Sequence, residues 1–364
     1  MQEINPWGSE DVKDYDKIMK DFGISPFTPL VKKIRNPHYL MKRGIIFGHR
    51  DFERILEAIE KKKEFAMMTG LMPSGKFHLG HKLLADQIIY YQQELGAKIF
   101  LCVADIEAYN MRLDDLDKLK DIAINEYLIN YIALGLKPKS CDFYFQSNRS
   151  IAYYKLADMV ARKVTFNELK DIYGELSPGK IISVMTQAAD ILHPQLEEYG
   201  GSKPVVVPVG IDQDPHIRLT RDIAARFEKE FKFIPPSSTY HFFMHGIKGG
   251  KMSSSDPNSY IALTDTPEDI DRKVKNMLTG GKESVELQRK EGGDPDKCVV
   301  FEIYKFHLLK NEEDVKKLYN DCKTGKILCG ECKARLKNML KEFLEEHQKK
   351  REKAKDMVHK FVKE

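Results

Sequence analysis

The sequence predicts a doubly wound α/β fold, a parallel sheet with a helical insertion, followed by an all-helical C-terminal domain. Three observations predict it. A short apolar run, Phe65 to Thr69, closes in a turn marked by Gly70, Pro73 and Gly75. It leads into a segment with Leu84, Ile88, Tyr91 and Leu95 at helical spacing, and then into a second apolar run, Ile99 to Ala104. Asp142 to Gln146 and Val205 to Val209 offer further buried strands separated by helical sequence, the alternation that parallel sheets require. From residue 261 onward the periodicity is helical, with almost no strand signal.

Residues 1–63 read as an N-terminal extension, cut into short segments by Pro6, Pro26, Pro29 and Pro37 before a helical run from Asp51 to Lys63. Nothing catalytic is evident in it. Residues 64–260 read as the sheet domain, opened by a Rossmann-type strand, glycine turn, helix and strand, with the helical insertion at about 111–200. Residues 261–364 read as the helical domain. A chain of 364 residues with 42% apolar content accommodates two or three such units. No stretch approaches the roughly 18 apolar residues of a membrane span, and the first residues lack a basic-then-apolar signal, so the expected location is the cytoplasm.

Net charge is only +4, but residues 311–364 hold 15 Lys or Arg against 11 Asp or Glu. That tail could face a phosphate backbone, or it could be a solvated helix face.

Two segments carry chemistry. The first, Thr69-Gly70-Leu71-Met72-Pro73-Ser74-Gly75-Lys76-Phe77-His78-Leu79-Gly80-His81, runs from a strand into a helix start, where free N–H groups and the helix dipole favour phosphate. His78 and His81 lie one turn apart and can both face that anion, while Gly80 lets a flat ring approach the backbone. Capping or surface histidines are the bland alternative. The second segment, Gly249-Gly250-Lys251-Met252-Ser253-Ser254-Ser255, puts a cation and three hydroxyls after a glycine pair, a means of meeting charge on a departing pyrophosphate. Either alone is weak; together, one opening the sheet domain and one closing it, they are specific.

With these motifs the chain resembles the class I aminoacyl-tRNA synthetases, whose HIGH and KMSKS signatures stand here as His78-Leu-Gly-His81 and Lys251-Met-Ser-Ser-Ser255. Ser254 replaces the family's second lysine, leaving Lys251 as the loop's cation. Further segments resemble the archaeal and eukaryotic tryptophanyl-tRNA synthetases: Asn5-Pro6-Trp7, Arg43 to Asp51, Val164 to Asn167, Ile211-Asp212-Gln213-Asp214-Pro215 and Asp256 to Ser259. The resemblance implies activation of tryptophan by ATP with Mg²⁺, transfer to tRNA(Trp), and a homodimer. It implies an ATP site at Thr69, Gly70, Ser74, His78, Gly80, His81, Asp212, Lys251, Met252, Ser253 and Ser254, with Asp212 near the ribose. It implies an amino-acid pocket at Met68, Cys102, Glu107, Gln187, Asp190 and Gln213, where Glu107 and Gln187 suit an ammonium.

Met68 and Cys102 stand where the eukaryotic enzymes read the indole N–H with Tyr and Gln, so that group must be read otherwise, and Asp190 is a candidate acceptor. Tyrosyl-tRNA synthetases place an aspartate at the same position, which keeps tyrosine specificity as an alternative. A nucleotidyltransferase with a small-molecule acceptor is a further one, disfavoured by chain length and the second signature.

Cys298, Cys322, Cys329 and Cys332 cluster late in the chain. Four thiolates can close a zinc site or hold an iron–sulfur cluster, and buried apolar cysteines are the bland reading. Their spacing resembles the four-iron, four-sulfur pattern of some bacterial tryptophanyl-tRNA synthetases, which is one residue shorter in its longest gap. That resemblance sets the cluster ahead of zinc.

Overall fold

The computed structural model describes residues 15–112, 115–250, 252 and 256–362. Lys251, Ser253, Ser254 and Ser255, and the Asn5-Pro6-Trp7 segment, lie outside the described residues.

The apolar runs form strands. In chain order they are β1 (Ser25–Pro26), β2 (Ile46–Arg50), β3 (Ala66–Leu71), β4 (Lys98–Val103), β5 (Cys141–Phe145), β6 (Val205–Gly210) and β7 (Ser237–His241). They make one sheet in the order β1-β2-β7-β6-β3-β4-β5. From β7 to β5 all pairings are parallel, whereas β1 and β2 add antiparallel to the β7 edge. The residues assigned to the extension thus supply two strands to the sheet.

The central strands are apolar on both faces because both are covered. Met67, Ile99, Leu101 and Val103 pack into one core with the helix that follows β3, while Ala66, Met68, Phe100, Cys102 and Val207 form a second core on the other side. In register, Gly70 stands beside Cys102 and Met68 beside Phe100.

The helices used below are α1 (Leu79–Gln93), α2 (Asp105–Arg112), α3 (Ile151–Val160), α4 (Phe166–Tyr173), α5 (Pro178–Leu192), α6 (Asp214–Arg226), α7 (Pro267–Lys275), α8 (Val299–Ile303), α9 (Glu312–Lys323) and α10 (Cys329–Lys355). Their starts are encoded locally. Thr165 and Glu168 form a capping box on α4, Ser177 caps α5 ahead of Pro178, and Thr266 and Asp269 box α7. The helical domain docks through α10, whose Leu336, Leu340, Leu344 and His347 are buried at four- and three-residue steps. There His347 Nε2 lies 2.7 Å from Asn130 Oδ1. No helix among the described residues is long and apolar enough to cross a membrane.

The order of the strands positions the site. The chain passes from β3 to β4 on one side and later returns to β6 on the other, so the crossovers diverge between β3 and β6. The crevice outside the carboxyl ends of strands at such a point is where ligands bind in doubly wound sheets.

Candidate active site

The first signature enters α1 with both histidines already engaged. His78 is the N-cap residue; its Nδ1 accepts from Gly80 N (3.1 Å), and His81 Nδ1 accepts from His78 N (3.2 Å). A ring nitrogen that accepts from an amide carries no proton, so each neutral imidazole holds its hydrogen on Nε2. The rings stack at 3.8 Å. Burial, with Lys273 adding to it, lowers the pKa of His78 to about 4, and burial, then His78, lowers that of His81. Both are therefore neutral N–H donors near pH 7, suited to phosphate oxygens.

The chain that follows the second signature is stitched to this entrance. Leu79 N donates to Ile261 O (3.0 Å) and Leu263 N to Phe77 O (2.9 Å), and the Tyr260 ring lies 4.7 Å from that of His78. Asp265 fixes the turn: its Oδ2 accepts from Ala262 N (2.9 Å) and from the buried Lys273 of α7 (2.5 Å). Met252 meets Gly80, where an added Cβ would stand 3.3 Å from the Met252 sulfur and 2.9 Å from the His78 ring. A side chain at position 80 would displace both. Ser74 sits in the turn and accepts the Tyr127 hydroxyl on its carbonyl (2.7 Å).

At the carboxyl ends of β3, β4 and β6 lies a cavity of about 320 Å³. It brings together Met68, Thr69, Gly70, Cys102, Glu107, Gln187, Asp190 and Gln213, which the sequence nominates from four separate stretches. Gln187 Nε2 donates to Gln213 Oε1 (3.4 Å). Asp212 occupies the 3₁₀ turn Ile211–Gln213 just beyond β6.

Asp190 is fully buried and held by Cys102 and by three groups the sequence did not nominate for the site. Tyr144 and Tyr153 hydroxyls each donate to Oδ1 at 2.8 Å, Cys102 Sγ approaches it at 3.5 Å, and Gln146 Nε2 donates to Oδ2 at 2.7 Å. Burial pushes this carboxyl above its ordinary pKa while the four hydrogen bonds pull the other way. Oδ1 takes three donors and Oδ2 one, so Oδ2 is the corner with acceptor capacity to spare. Gln146 also accepts from Glu107 N (3.2 Å), which ties the start of α2 to the same network.

The four late cysteines also meet. Cys298, Cys322, Cys329 and Cys332 line one cavity of about 20 Å³, room for one water-sized group. Gly281 and Gly293 make way for sulfur: a Cβ at either would stand 2.7 Å from Cys329 Sγ or 2.9 Å from Cys322 Sγ. Burial, reinforced by the neighbouring thiols, raises Cys322 to about 11 and Cys332 to about 12. The thiols are gathered, yet among the described residues no three His, Cys, Asp or Glu side chains are grouped to hold a metal ion. A ready-made ligand set, the sequence expectation, is not what the packing presents. Cys329 instead packs its sulfur on the Gln288 amide at 3.4 Å.

The strand order, the paired signatures and the cavity at the switch point define an ATP-using, class I type of site. The chain belongs to the class I tRNA synthetases (W and Y), whose family model matches residues 60–345. Within that family it stands with the tryptophan–tRNA ligases. It is 52% identical to the tryptophan–tRNA ligase of Hyperthermus butylicus, over 99% of this chain and 97% of that one. The crystal structure of tryptophanyl-tRNA synthetase from Aeropyrum pernix K1 matches with a TM-score of 0.93 at 50% identity, covering 99% of each chain. That of Encephalitozoon cuniculi bound to tryptophan matches with a TM-score of 0.83 at 25% identity, covering 96% of this chain and 99% of that one. A small-molecule nucleotidyltransferase is thereby set aside.

Proposed function

We propose that the chain is a tryptophan–tRNA ligase that joins tryptophan to tRNA(Trp) at the expense of ATP. One observation carries the site assignment: the cavity at the β3/β6 switch point gathers eight residues nominated for amino-acid and ATP binding. In the first step a tryptophan carboxylate oxygen bonds to the α-phosphorus, the bond from that phosphorus to the β-phosphate bridging oxygen breaks, and pyrophosphate leaves. The nucleophile is already an anion, so no general base is needed, and positioning and charge stabilisation supply the rate. In the second step the terminal adenosine 2′-hydroxyl attacks the acyl carbon and AMP leaves.

His78 and His81 donate Nε2–H to phosphate oxygens at the start of α1, Lys251 supplies the cation on the pyrophosphate side, and Mg²⁺ neutralises the polyphosphate. Thr69, Gly70, Ser74, Gly80, Met252, Ser253 and Ser254 surround the nucleotide, and Asp212 takes the ribose. Glu107, Gln187 and Gln213 hold the ammonium. Asp190 reads the indole N–H through Oδ2, with Met68 and Cys102 beside the ring; its spare acceptor corner supports this role.

The division into extension, sheet domain and helical domain, the cytoplasmic location and a homodimeric state belong to the same reading. So does an iron–sulfur cluster, ahead of zinc, at Cys298, Cys322, Cys329 and Cys332. Its support is that all four thiols line one cavity, which at about 20 Å³ would have to open to admit such a group.

ATP–pyrophosphate exchange with tryptophan, tyrosine and phenylalanine in turn tests the assignment. Exchange with tryptophan alone is expected. Exchange with tyrosine alone overturns the substrate, since a phenol can also donate to Asp190.

A further inference from the structure

The helical domain grips the sheet domain just before the second signature. Glu302 of α8 binds His245 at two points: Oε1 accepts from the backbone N (2.7 Å) and Oε2 lies 2.6 Å from Nδ1. The Glu302 side chain is 16% exposed, so the pair is half-sheltered from solvent screening. Next to it, His307 Nε2 lies 3.3 Å from the Met244 sulfur.

His307 belongs to a π-helical turn, Tyr304–Leu308, a distortion that costs hydrogen-bond geometry and is found at functional sites. That turn is itself anchored. Arg43 donates to Lys305 O (2.5 Å) and Leu309 O (2.8 Å) and pairs with Glu312 (2.9 Å).

From Gly246 to Gly250 the backbone is held by its own hydrogen bonds. Gly246 N donates to Gly250 O (2.8 Å), Gly249 N to Gly246 O (2.9 Å) and Ile247 N to Ser259 O (2.8 Å). Gly249 and Gly250 take φ of +79° and +70°, a turn that side chains rarely adopt. The place given to His245 is therefore passed to Gly250, the residue before Lys251.

We propose that Glu302 is a positioning residue for the first step: its two-point hold on His245 fixes the turn that ends at Gly250, the residue before Lys251, and so makes ATP use depend on the helical domain. The inference rests on the reading of Lys251 as the cation that meets the phosphates. Surface ion pairs contribute little to stability, so a contact of this kind can be removed without unfolding the chain. Its effect belongs in the interaction with ATP. Tryptophan binds in the cavity at the switch point, which Glu302 does not line.

The test uses the full chain and ATP–pyrophosphate exchange, titrated separately with ATP and with tryptophan, on wild type, Glu302→Ala, Glu302→Gln, His245→Ala and the double Ala variant. Glu302→Ala should raise KM for ATP roughly three- to tenfold. KM for tryptophan and the thermal midpoint should stay unchanged. Glu302→Gln, which keeps an acceptor for the His245 backbone, should recover part of the loss. His245→Ala, which keeps the backbone N–H, should give only part of the loss, as Glu302→Gln does, and the double variant should be no worse than Glu302→Ala. An unchanged KM for ATP in Glu302→Ala overturns the proposal, as do additive effects or parallel rises in both KM values with a lower midpoint. If the wild type exchanges normally, those outcomes fall on Glu302 alone; a wild type silent with tryptophan removes the functional reading and the inference with it.

Discussion

The floor of the amino-acid cavity and the four-thiol cavity are both clusters of buried polar groups, but they are completed differently. Around Asp190 every donor has an acceptor before any ligand arrives: two tyrosine hydroxyls, a thiol and an amide converge on one carboxylate. Around the thiols, among the described residues, the partner on the same scale is the Gln288 amide at Cys329. A satisfied network in a low-dielectric setting is rigid and holds one geometry, which suits a site that must tell one aromatic side chain from another. A gathered but unsatisfied set waits for something to organise it.

The largest expected effect separates the two regions. Asp190→Asn keeps the volume but gives Tyr144, Tyr153, Gln146 and the indole N–H a half-donor in place of a carboxylate. The specificity constant kcat/KM for tryptophan in exchange should fall about 100-fold or more, as expected when a site built to hydrogen-bond its substrate loses that acceptor. KM for ATP should barely move. A loss under threefold would sink the role given to Asp190. Asp190→Ala is the harsher variant, because it also strands four donors, each costing about 1–3 kcal/mol in the fold. A broad loss of stability in that variant would not bear on substrate reading, which is why the asparagine variant decides.

The thiol cavity should give a smaller, differently placed effect. With a metal group bound, Cys322→Ser and Cys332→Ser should each abolish iron binding and absorbance near 400 nm in protein prepared without oxygen, and lower the thermal midpoint. Exchange activity should remain within about twofold, because the cavity lies away from the switch-point crevice. Cys141→Ser, outside the cavity, should change neither iron content nor colour. A colourless, iron-free wild-type preparation made without oxygen ends the cluster proposal and leaves four buried apolar thiols.

How legible each region is in the sequence follows from the same contrast. Asp190 could be nominated because it stands three residues after Gln187 on one face of a helix, a relation that local spacing fixes. Tyr144, Tyr153 and Gln146 could not. They reach Asp190 from 46, 37 and 44 residues away, and only the pairing of β5 with β4 and the return of α3 bring them there. His78 and His81 were legible because their ring partners, Gly80 N and His78 N, lie within the same signature. Lys273 and Asp265, which fix the turn beside His78, stand eight residues apart and carry no signal until α7 folds over them. The prolines correctly mark short segments before residue 51, but not that Ile46–Arg50 would cover the β7 edge or that Arg50 would pair with the buried Asp214 at 2.8 Å. For the cysteines, spacing indicated that they meet, while packing on Gly281, Gly293 and Gln288 sets how.

The two regions should also set opposite edges of the pH range over which the fold is stable. On the acid side the groups at issue are the buried histidines. His78 is lowered to about 4, and His193 and the cavity-lining His216 to about 3, chiefly by burial. A histidine with a folded pKa below its ordinary 6.5 binds fewer protons folded than unfolded. Its contribution is complete above pH 6.5 and is lost as pH falls toward the folded value, at up to about 1.4 kcal/mol per pH unit for each such group. On the alkaline side the thiols act in the opposite sense. Cys322 and Cys332 are raised to about 11 and 12, so the folded protein keeps protons that the unfolded chain gives up, and that contribution is present below pH 8.5 and lost as pH rises through the folded values. The thermal midpoint of the metal-free protein should therefore drop from pH 7 to pH 5 and, by less, from pH 8 to pH 10. Metal binding removes the second slope, because coordinated thiolates have already released their protons, and steepens the first, because the unfolded chain takes those protons up below pH 8.5. An alkaline slope that is the same with and without iron would place the metal elsewhere.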